Sequence, residues 1–313
     1  SLPANSSRRT AFADWLVATE NPRFAKTIAN RLWKRALGVG LIEPVDDIRD
    51  DTTASNPELM KFLTEEMIRL KFNLKEFQRI IYHTRSYQRQ VTYTDYDSTK
   101  PYHFQGPVLR RMTAEQIWDS LLTLTLKHTD HFLRPSDKPY VTAINAVQGM
   151  TASQLVEKAN SIVKAEGDQR ALDRKQAYKG VTLRRASELP QPLPEGHFLR
   201  QFGQSDRTII SAGTTDGTVP QLLTLFNGPV THMMLEAGSV INEEAVNAQP
   251  SNRIDVIFLS ILGRRPTANE RQIAYQEIRD NLQKYKNDPN KRLAGYGNII
   301  WALFNTREFL FIQ

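Results

Sequence analysis

Residues 56–82, NPELMKFLTEEMIRLKFNLKEFQRIIY, decide the fold class. Asn56 is a preferred N-cap residue, and Pro57 suits the first helical position, where its missing N–H costs nothing. Leu59, Phe62, Leu63, Met67 and Leu70 then recur at helical spacing. Asn73 followed by Glu76 opens a second helix through Phe77, Ile80 and Ile81.

The same punctuation runs outward in both directions. Arg8 to Ala18 places Phe12, Trp15 and Leu16 on one stripe, which Asn21-Pro22 ends because proline pushes the residue before it out of the α region. From Pro22 to about Leu37 the reading is a helix with Phe24, Ile28, Leu32 and Ala36 inward and Gly38 as its C′ residue. Thr113 with Gln116, Thr151 with Gln154 and Thr267 with Glu270 are capping pairs. Val219 to about Glu244 is apolar enough for a long helix interrupted at Gly228-Pro229, with Leu222, Leu223, Leu225 and Phe226 as core. Ser251 starts a helix that Gly263 ends, and Ile299 to Phe311 forms the last. Alternating runs are nearly absent. The expectation is an all-α, mostly helical protein: a bundle over 1–133, an irregular excursion over 134–204 with one basic helix, and a second bundle over 205–313 packed against the first.

Composition narrows the chemistry. The chain has 313 residues, 40% hydrophobic and 24% charged, with 15 Gly and 16 Pro, which is the composition of a globular protein. It has no cysteine, so disulfides, thiolate metal sites, iron–sulfur clusters and cysteine nucleophiles are excluded from it. No apolar run approaches the ~20 residues of a membrane span. Ser1-Leu2-Pro3-Ala4 is neither an initiator nor a signal sequence, and reads as the start of a trimmed fragment. The balance of 41 basic to 34 acidic residues gives +7. Arg23, Lys26, Arg31, Lys34 and Arg35 are answered by Glu43, Asp46, Asp47, Asp50 and Asp51. The excess concentrates in Lys164, Arg170, Arg174, Lys175, Lys179, Arg184 and Arg185, an anion-binding candidate whose alternative is a solvated helix face.

Catalytic templates fail one by one. There is no P-loop and no nucleophile elbow. Gly38-Val39-Gly40 follows a helix and lacks a third glycine, so it is a helix stop. Ser161 and Lys164 have S-x-x-K spacing without the accompanying motifs. His128 and His131 would need a third ligand from elsewhere to hold zinc, and Asp46, Asp47, Asp50 and Asp51 lack the spacing of a calcium loop. No metal and no cofactor is therefore expected. Tyr82, Tyr87, Tyr93, Tyr96 and Tyr102, interleaved with Arg85, Gln88, Arg89 and Gln90, offer either a stacking surface for sugars or bases, or ordinary tyrosine packing. Glu115 and Asp119 lie one helical turn apart, as an acid and base would, and as surface carboxylates often do.

Six stretches taken in order resemble a known family: RRTAFADWLVATENPRFAKTIANRLWKRALGVGLIEPVDDIRD (8–50), NPELMKFLTEEMIRLKFNLKEFQRIIYHTRSYQRQ (56–90), LRRMTAEQIWDSLL (109–122), VPQLLTLFNGPV (219–230), LSILGRRPTANER (259–271) and GNIIWALFNTREFL (297–310). The family is the bacterial domain of unknown function 1553. The family-like positions are Asn30, Arg31, Trp33, Asp47, Glu115, Gln221, Asn227, Arg264 and Asn305. Where relatives carry Phe-Asp, this chain has Phe202-Gly203, with Asp206-Arg207 after it. The stretch 134–183 fits the family poorly. The resemblance implies large exported proteins of planctomycetes and related bacteria, with a companion domain and often a c-type cytochrome domain, and so an extracytoplasmic setting.

Two functions follow as expectations. The first is a non-catalytic helical module that positions or docks neighbouring domains, a c-type cytochrome among them, or that binds an acidic polysaccharide; nucleic acid is not an expected partner. The second is a hydrolase of acidic polysaccharide using Glu115 and Asp119. Arg31, Asp47, Gln221, Asn227 and Arg264 are the expected binding positions, read either as ties between helices and loops or as the polar groups of a pocket. Arg31 is expected to pair with Asp46 or Asp47, as a buried ion pair if the junction is closed.

Overall fold

The structure, a computed structural model, describes residues 7–91, 97, 100, 102–129, 149–175, 177–189, 191, 193–205, 217–288, 291 and 294–312. The protein is mostly α-helical, and among the described residues the four strands are two residues long each. The chain forms two compact units. One comprises residues 1–110 with 312–313, and the other residues 111–311. The division falls earlier than the expected boundary near 133.

In the first unit, α1 (Arg8–Val17), α2 (Pro22–Leu37), α3 (Pro57–Arg69) and α4 (Leu74–Tyr82) start where local chemistry directs. Asn21, Asn56 and Asn73 each accept a backbone N–H of the first turn of α2, α3 and α4 respectively. Gly38, at φ 90°, ends α2 in the left-handed region. The core consists of Ala25, Ala29, Trp33, Ala36 and Leu37 packed with Met60, Leu63, Met67, Phe77 and Ile81. The buried stripe of α2 is thus one residue on from the expected one. Phe24, Ile28 and Leu32 only flank it, because Ala25 and Ala29 supply the small surface that lets another helix approach closely. Phe12 and Trp15 of α1 are each 61% exposed, so the stripe on α1 faces outward.

One amide holds the turn after α2. Asn30 is fully buried. Its Oδ1 accepts the N–H groups of Leu41 (2.8 Å) and Ile42 (3.1 Å), and its Nδ2 donates to the Ile42 carbonyl at 2.9 Å. Gly40 is obligatory in this turn, since a Cβ there would stand 2.7 Å from the Ile42 carbonyl oxygen and 3.2 Å from Asn30 Oδ1. Glu43 accepts the Gly40 N–H (2.7 Å) and pairs with Lys34 (2.8 Å). Arg31 pairs with Asp46, its Nε at 2.7 Å, but both side chains are more than half exposed. Asp47 turns instead to Arg49. The buried pair is corrected to a solvated one, because Arg31 lies on the outer side of α2, opposite the alanine stripe.

The second unit runs through α5 (Ala114–Thr125), α6 (Ala152–Lys175), a hairpin of β2 (Ala177–Tyr178) and β3 (Val181–Thr182), a 3₁₀ turn at Ala186–Glu188, α7 (Phe198–Gln201), α8 (Val219–Asn227), α9 (Pro229–Leu235), α10 (Val240–Asn247), α11 (Arg253–Leu262), α12 (Ala268–Lys284), α13 (Ala294–Phe304) and α14 (Arg307–Leu310). Strands β1 (Arg110–Arg111) and β4 (Phe311–Ile312) complete the elements. Thr113 and Thr267 form full capping boxes, and Gly263 at φ 69° ends α11. The hairpin, absent from the helical reading, closes on Lys179-Gly180, both at positive φ.

Two expectations are corrected in this unit. The end of the supposed excursion belongs to the core: Leu183, Ala186, Leu189, Leu193, Phe198, Leu199 and Phe202 are buried with α5, α9 and α11 residues in one apolar cluster. Pro and Gly punctuation there breaks the helical period without making the segment peripheral. Of the expected α8 core, only Leu225 is buried, whereas Leu222, Leu223 and Phe226 are 47%, 56% and 37% exposed. Residues 130–148, which include the start of the expected excursion at 134, lie outside the described residues.

Asn30→Ala should cost about 3 kcal/mol in urea denaturation, since it strips buried Leu41 and Ile42 N–H groups of their acceptor. Asp46→Ala should cost less than about 1 kcal/mol, the range of an exposed pair. Equal midpoints for the two variants would contradict the assignment of Asn30.

Candidate functional site

A polar network in the second unit surrounds α5. Trp118 is fully buried, and its Nε1 donates to the Arg184 carbonyl at 2.7 Å. The next residue, Asp119, accepts the Ala186 N–H at 2.8 Å. Two consecutive side chains therefore pin 184–186 to α5. Trp118 also stands 5.1 Å from the His197 ring and 5.5 Å from Phe198, which stacks on Phe202 at 4.1 Å. Trp118, Val181, Phe198, Thr224, Val230 and Thr231 line a cavity of about 80 Å³, with room for a few waters or one small apolar group.

His197 closes this arrangement. Its Nδ1 accepts the Leu199 N–H at 3.2 Å as the cap of α7, so Nε2 carries the proton; Nε2 is buried without a partner. Burial pushes the imidazole below its ordinary value, because a cation there would lose its hydration. Behind the aromatic group, Arg111 donates to Gln221 Oε1 (2.8 Å), Gln221 Nε2 to the Gln201 carbonyl (3.0 Å) and Thr224 Oγ1 to Gln201 Oε1 (2.5 Å). The Arg111 guanidinium also sits 5.7 Å from the Phe202 ring centre. Gln221 joins α8 to the last residue of α7.

The remaining sequence candidates scatter. Glu115 and Asp119 are both half-buried on α5, and the Asp119 carboxylate is engaged with Ala186. Asn227 is exposed at the end of α8. Asn305 donates to the Trp301 carbonyl at 2.8 Å while its Oδ1 is buried without a partner. Lys164, Arg174 and Lys179 are exposed, but Arg184 is only 2% exposed and Arg185 donates to Thr129. The expected basic run is therefore not one surface; Arg184 follows the hairpin into the core, and Arg185 is half-buried against Thr129. The side chains of Arg170 and Lys175, and His131 of the proposed histidine pair, lie outside the described residues. Among the described residues no three His, Asp or Glu side chains come together to hold a metal. Trp118, His197 and Arg111 were not singled out from the sequence. For Trp118 a signal existed, a tryptophan on the inward face of a capped helix; for His197 none did.

Arg264 is a brace. It forms two bonds to Glu270 (2.7 and 2.9 Å) and two to Glu308 (2.5 and 2.7 Å), and lies 5.8 Å from the Phe258 ring centre. Glu270 also accepts the Thr267 N–H and hydroxyl. The Arg264 bonds, before all else, hold the Glu270 carboxyl at about 2 against an ordinary 4.5, and the two carboxylates raise the guanidinium in turn. These bonds tie the turn after α11 to α12 and α14. A concavity of about 620 Å³ lies on an open face of α12, where its described lining includes Arg271, Tyr275, Arg279 and Leu282 and no carboxylate.

Fold and sites together define a mostly helical two-unit protein whose polar clusters mainly join elements. Its family follows from the sequence: the family model described as "PSD1: Protein of unknown function (DUF1553)" matches residues 8–278, and the chain belongs to that family. No curated protein and no solved structure matches the chain. No described helix is long and apolar enough to cross a membrane.

Acid should act on stability in two windows. His197, lowered in the folded state, is protonated first in the unfolded chain, so stability falls as pH drops below about 6.5. Glu270, also lowered, contributes stability that is whole above about 4.5 and is lost as pH falls toward 2. His197→Asn, which keeps a capping acceptor, should flatten the upper window of a stability profile, and Glu270→Gln the lower one. Unchanged slopes would refute these environments.

Proposed function

We propose that the chain is a non-catalytic helical module that docks a neighbouring domain of a larger exported protein, with a c-type cytochrome domain among its partners, in an extracytoplasmic setting. The observation that carries this reading is the face of α8. Val219, Leu222, Leu223 and Phe226 are 69%, 47%, 56% and 37% exposed on a nine-residue helix. A contiguous apolar patch of that kind is a typical mark of an interaction surface. The exported and cytochrome-linked setting rests on the family resemblance alone.

The polar groups support the same reading. Gln221 and Arg264 are engaged in joining elements, and Asp119, half of the carboxylate pair a hydrolase would need, is tied to the Ala186 backbone. Leu222→Asp with Leu223→Asp should weaken binding to the purified neighbouring domain of the parent protein at least tenfold in titration calorimetry while leaving the helical circular dichroism unchanged. Undiminished binding overturns the docking face. Release of reducing ends from an acidic polysaccharide, abolished by Glu115→Gln, would establish the hydrolase instead.

A further inference from the structure

The open concavity on α12 has the volume of a ligand site. Its 620 Å³ falls within the range of about 300–1,000 Å³ typical of such sites, whereas the 80 Å³ cavity beside Trp118 does not. Helical spacing brings its side chains into line. Arg271, Tyr275 and Arg279 follow one another at intervals of four residues, with Gln272 next to the first and Leu282 three beyond the last, so all five line the same concavity.

The carboxylates of α12 are drawn elsewhere. Glu270 is held by Arg264 and Thr267, Glu277 accepts Asn281 and Asn298 (2.7 Å each), and Asp280 accepts Gln276 at 2.9 Å. Arg271 is paired with Asp255 at 2.5 Å. Gln272, Tyr275 and Arg279 stay uncommitted: among the described residues none of the three makes a side-chain hydrogen bond or ion pair, and all are exposed, Tyr275 at 41%. Other cations of the surface also lack partners. Arg279 differs in standing one helical turn from an exposed ring, on the wall of a concavity that a free amide shares.

These three groups match a sugar carrying a carboxylate. The apolar face of a pyranose lies on an aromatic ring, its hydroxyls bond to a carboxamide that both donates and accepts, and a carboxylate takes two parallel N–H bonds from a guanidinium. Side chains one turn apart have Cβ atoms about 5–6 Å from each other, so a carboxylate on a sugar stacked at Tyr275 comes within reach of Arg279. The described lining holds no acidic group to repel it. A nucleic acid strand fits less well, since it needs a track of cations along successive phosphates and Arg271 is already neutralised. We propose that Gln272, Tyr275 and Arg279 form a binding subsite for an acidic polysaccharide, with Tyr275 as the platform for a sugar ring and Arg279 as the carboxylate's partner. The site shares no residue with the α8 face, so either role can fail without the other.

Titration calorimetry of the whole chain with tetragalacturonate, its neutral galactose counterpart, polyglutamate and polyadenylate tests the assignment. Tetragalacturonate should bind, and the other three should bind at least tenfold more weakly. Arg279→Ala and Tyr275→Ala, both at exposed positions of a helix that alanine favours, should each weaken tetragalacturonate binding about tenfold with an unchanged thermal midpoint. Tyr275→Phe keeps the ring and should retain most of the affinity. Lys61→Ala, which removes the same charge from an exposed position of the first unit, should leave binding unaltered. No binding of tetragalacturonate, equal binding of the neutral sugar, of polyglutamate or of polyadenylate, affinity indifferent to Arg279→Ala and Tyr275→Ala, or an equal loss in Lys61→Ala would each overturn the proposal.

Discussion

A buried backbone N–H or C=O that no helix satisfies must find a side chain, because leaving it bare costs as much as several good packing contacts contribute. This constraint governs how each unit is assembled. In the first, the turn between α2 and α3 folds beneath the helices only because the Asn30 amide supplies an acceptor for two N–H groups and a donor for one carbonyl. In the second, Trp118 and Asp119 perform the same service for Arg184 and Ala186, and Gln221 does so for Gln201. Without these bonds the irregular segments would be driven back to water, and the apolar residues they carry would leave the core.

The constraint also explains why residues that look functional in the sequence turn out to be structural. Polar side chains inside a helical, largely apolar context are what an active site would use, and equally what a buried loop requires. Asp119, Gln221 and Arg264 have their hydrogen-bonding capacity taken up by backbone groups or by opposite charges. Glu270, its charge fixed by the Arg264 guanidinium, is a poor acid or base near neutral pH, since its proton affinity lies far from the working range. The chemistry left over is at the surface, as on the apolar face of α8.

Much of the secondary structure was legible in the chain itself, and for a definite reason. A cap is a bond between a side chain and a backbone group two or three residues away, so Asn56, Asn73, Thr113 and Thr267 mark their helices whatever lies around them, as do Gly38 and Gly263 at the other end. The break at Gly228-Pro229 belongs to the same class. The helical class and the positions of most helix starts needed no knowledge of the tertiary arrangement.

Burial did need it, because a residue is inside only if something else covers it. Ala25 and Ala29 became the contact face of α2 through the neighbours packed upon them, displacing the larger Phe24, Ile28 and Leu32 to its margins. Leu222 and Leu223 remained exposed although their sequence reads as core. Arg184, one cation in a basic run, was carried inward when the chain returned from the hairpin to α5. The candidate site was hidden for the same reason: His197 lies far in sequence from Trp118 and Arg111, and only the fold brings its ring against Trp118. Local periodicity determined which segments are helices, and only the tertiary structure decided which of their faces meet, because hydrogen bonds within a helix are local while the apolar surface it buries belongs equally to its partner.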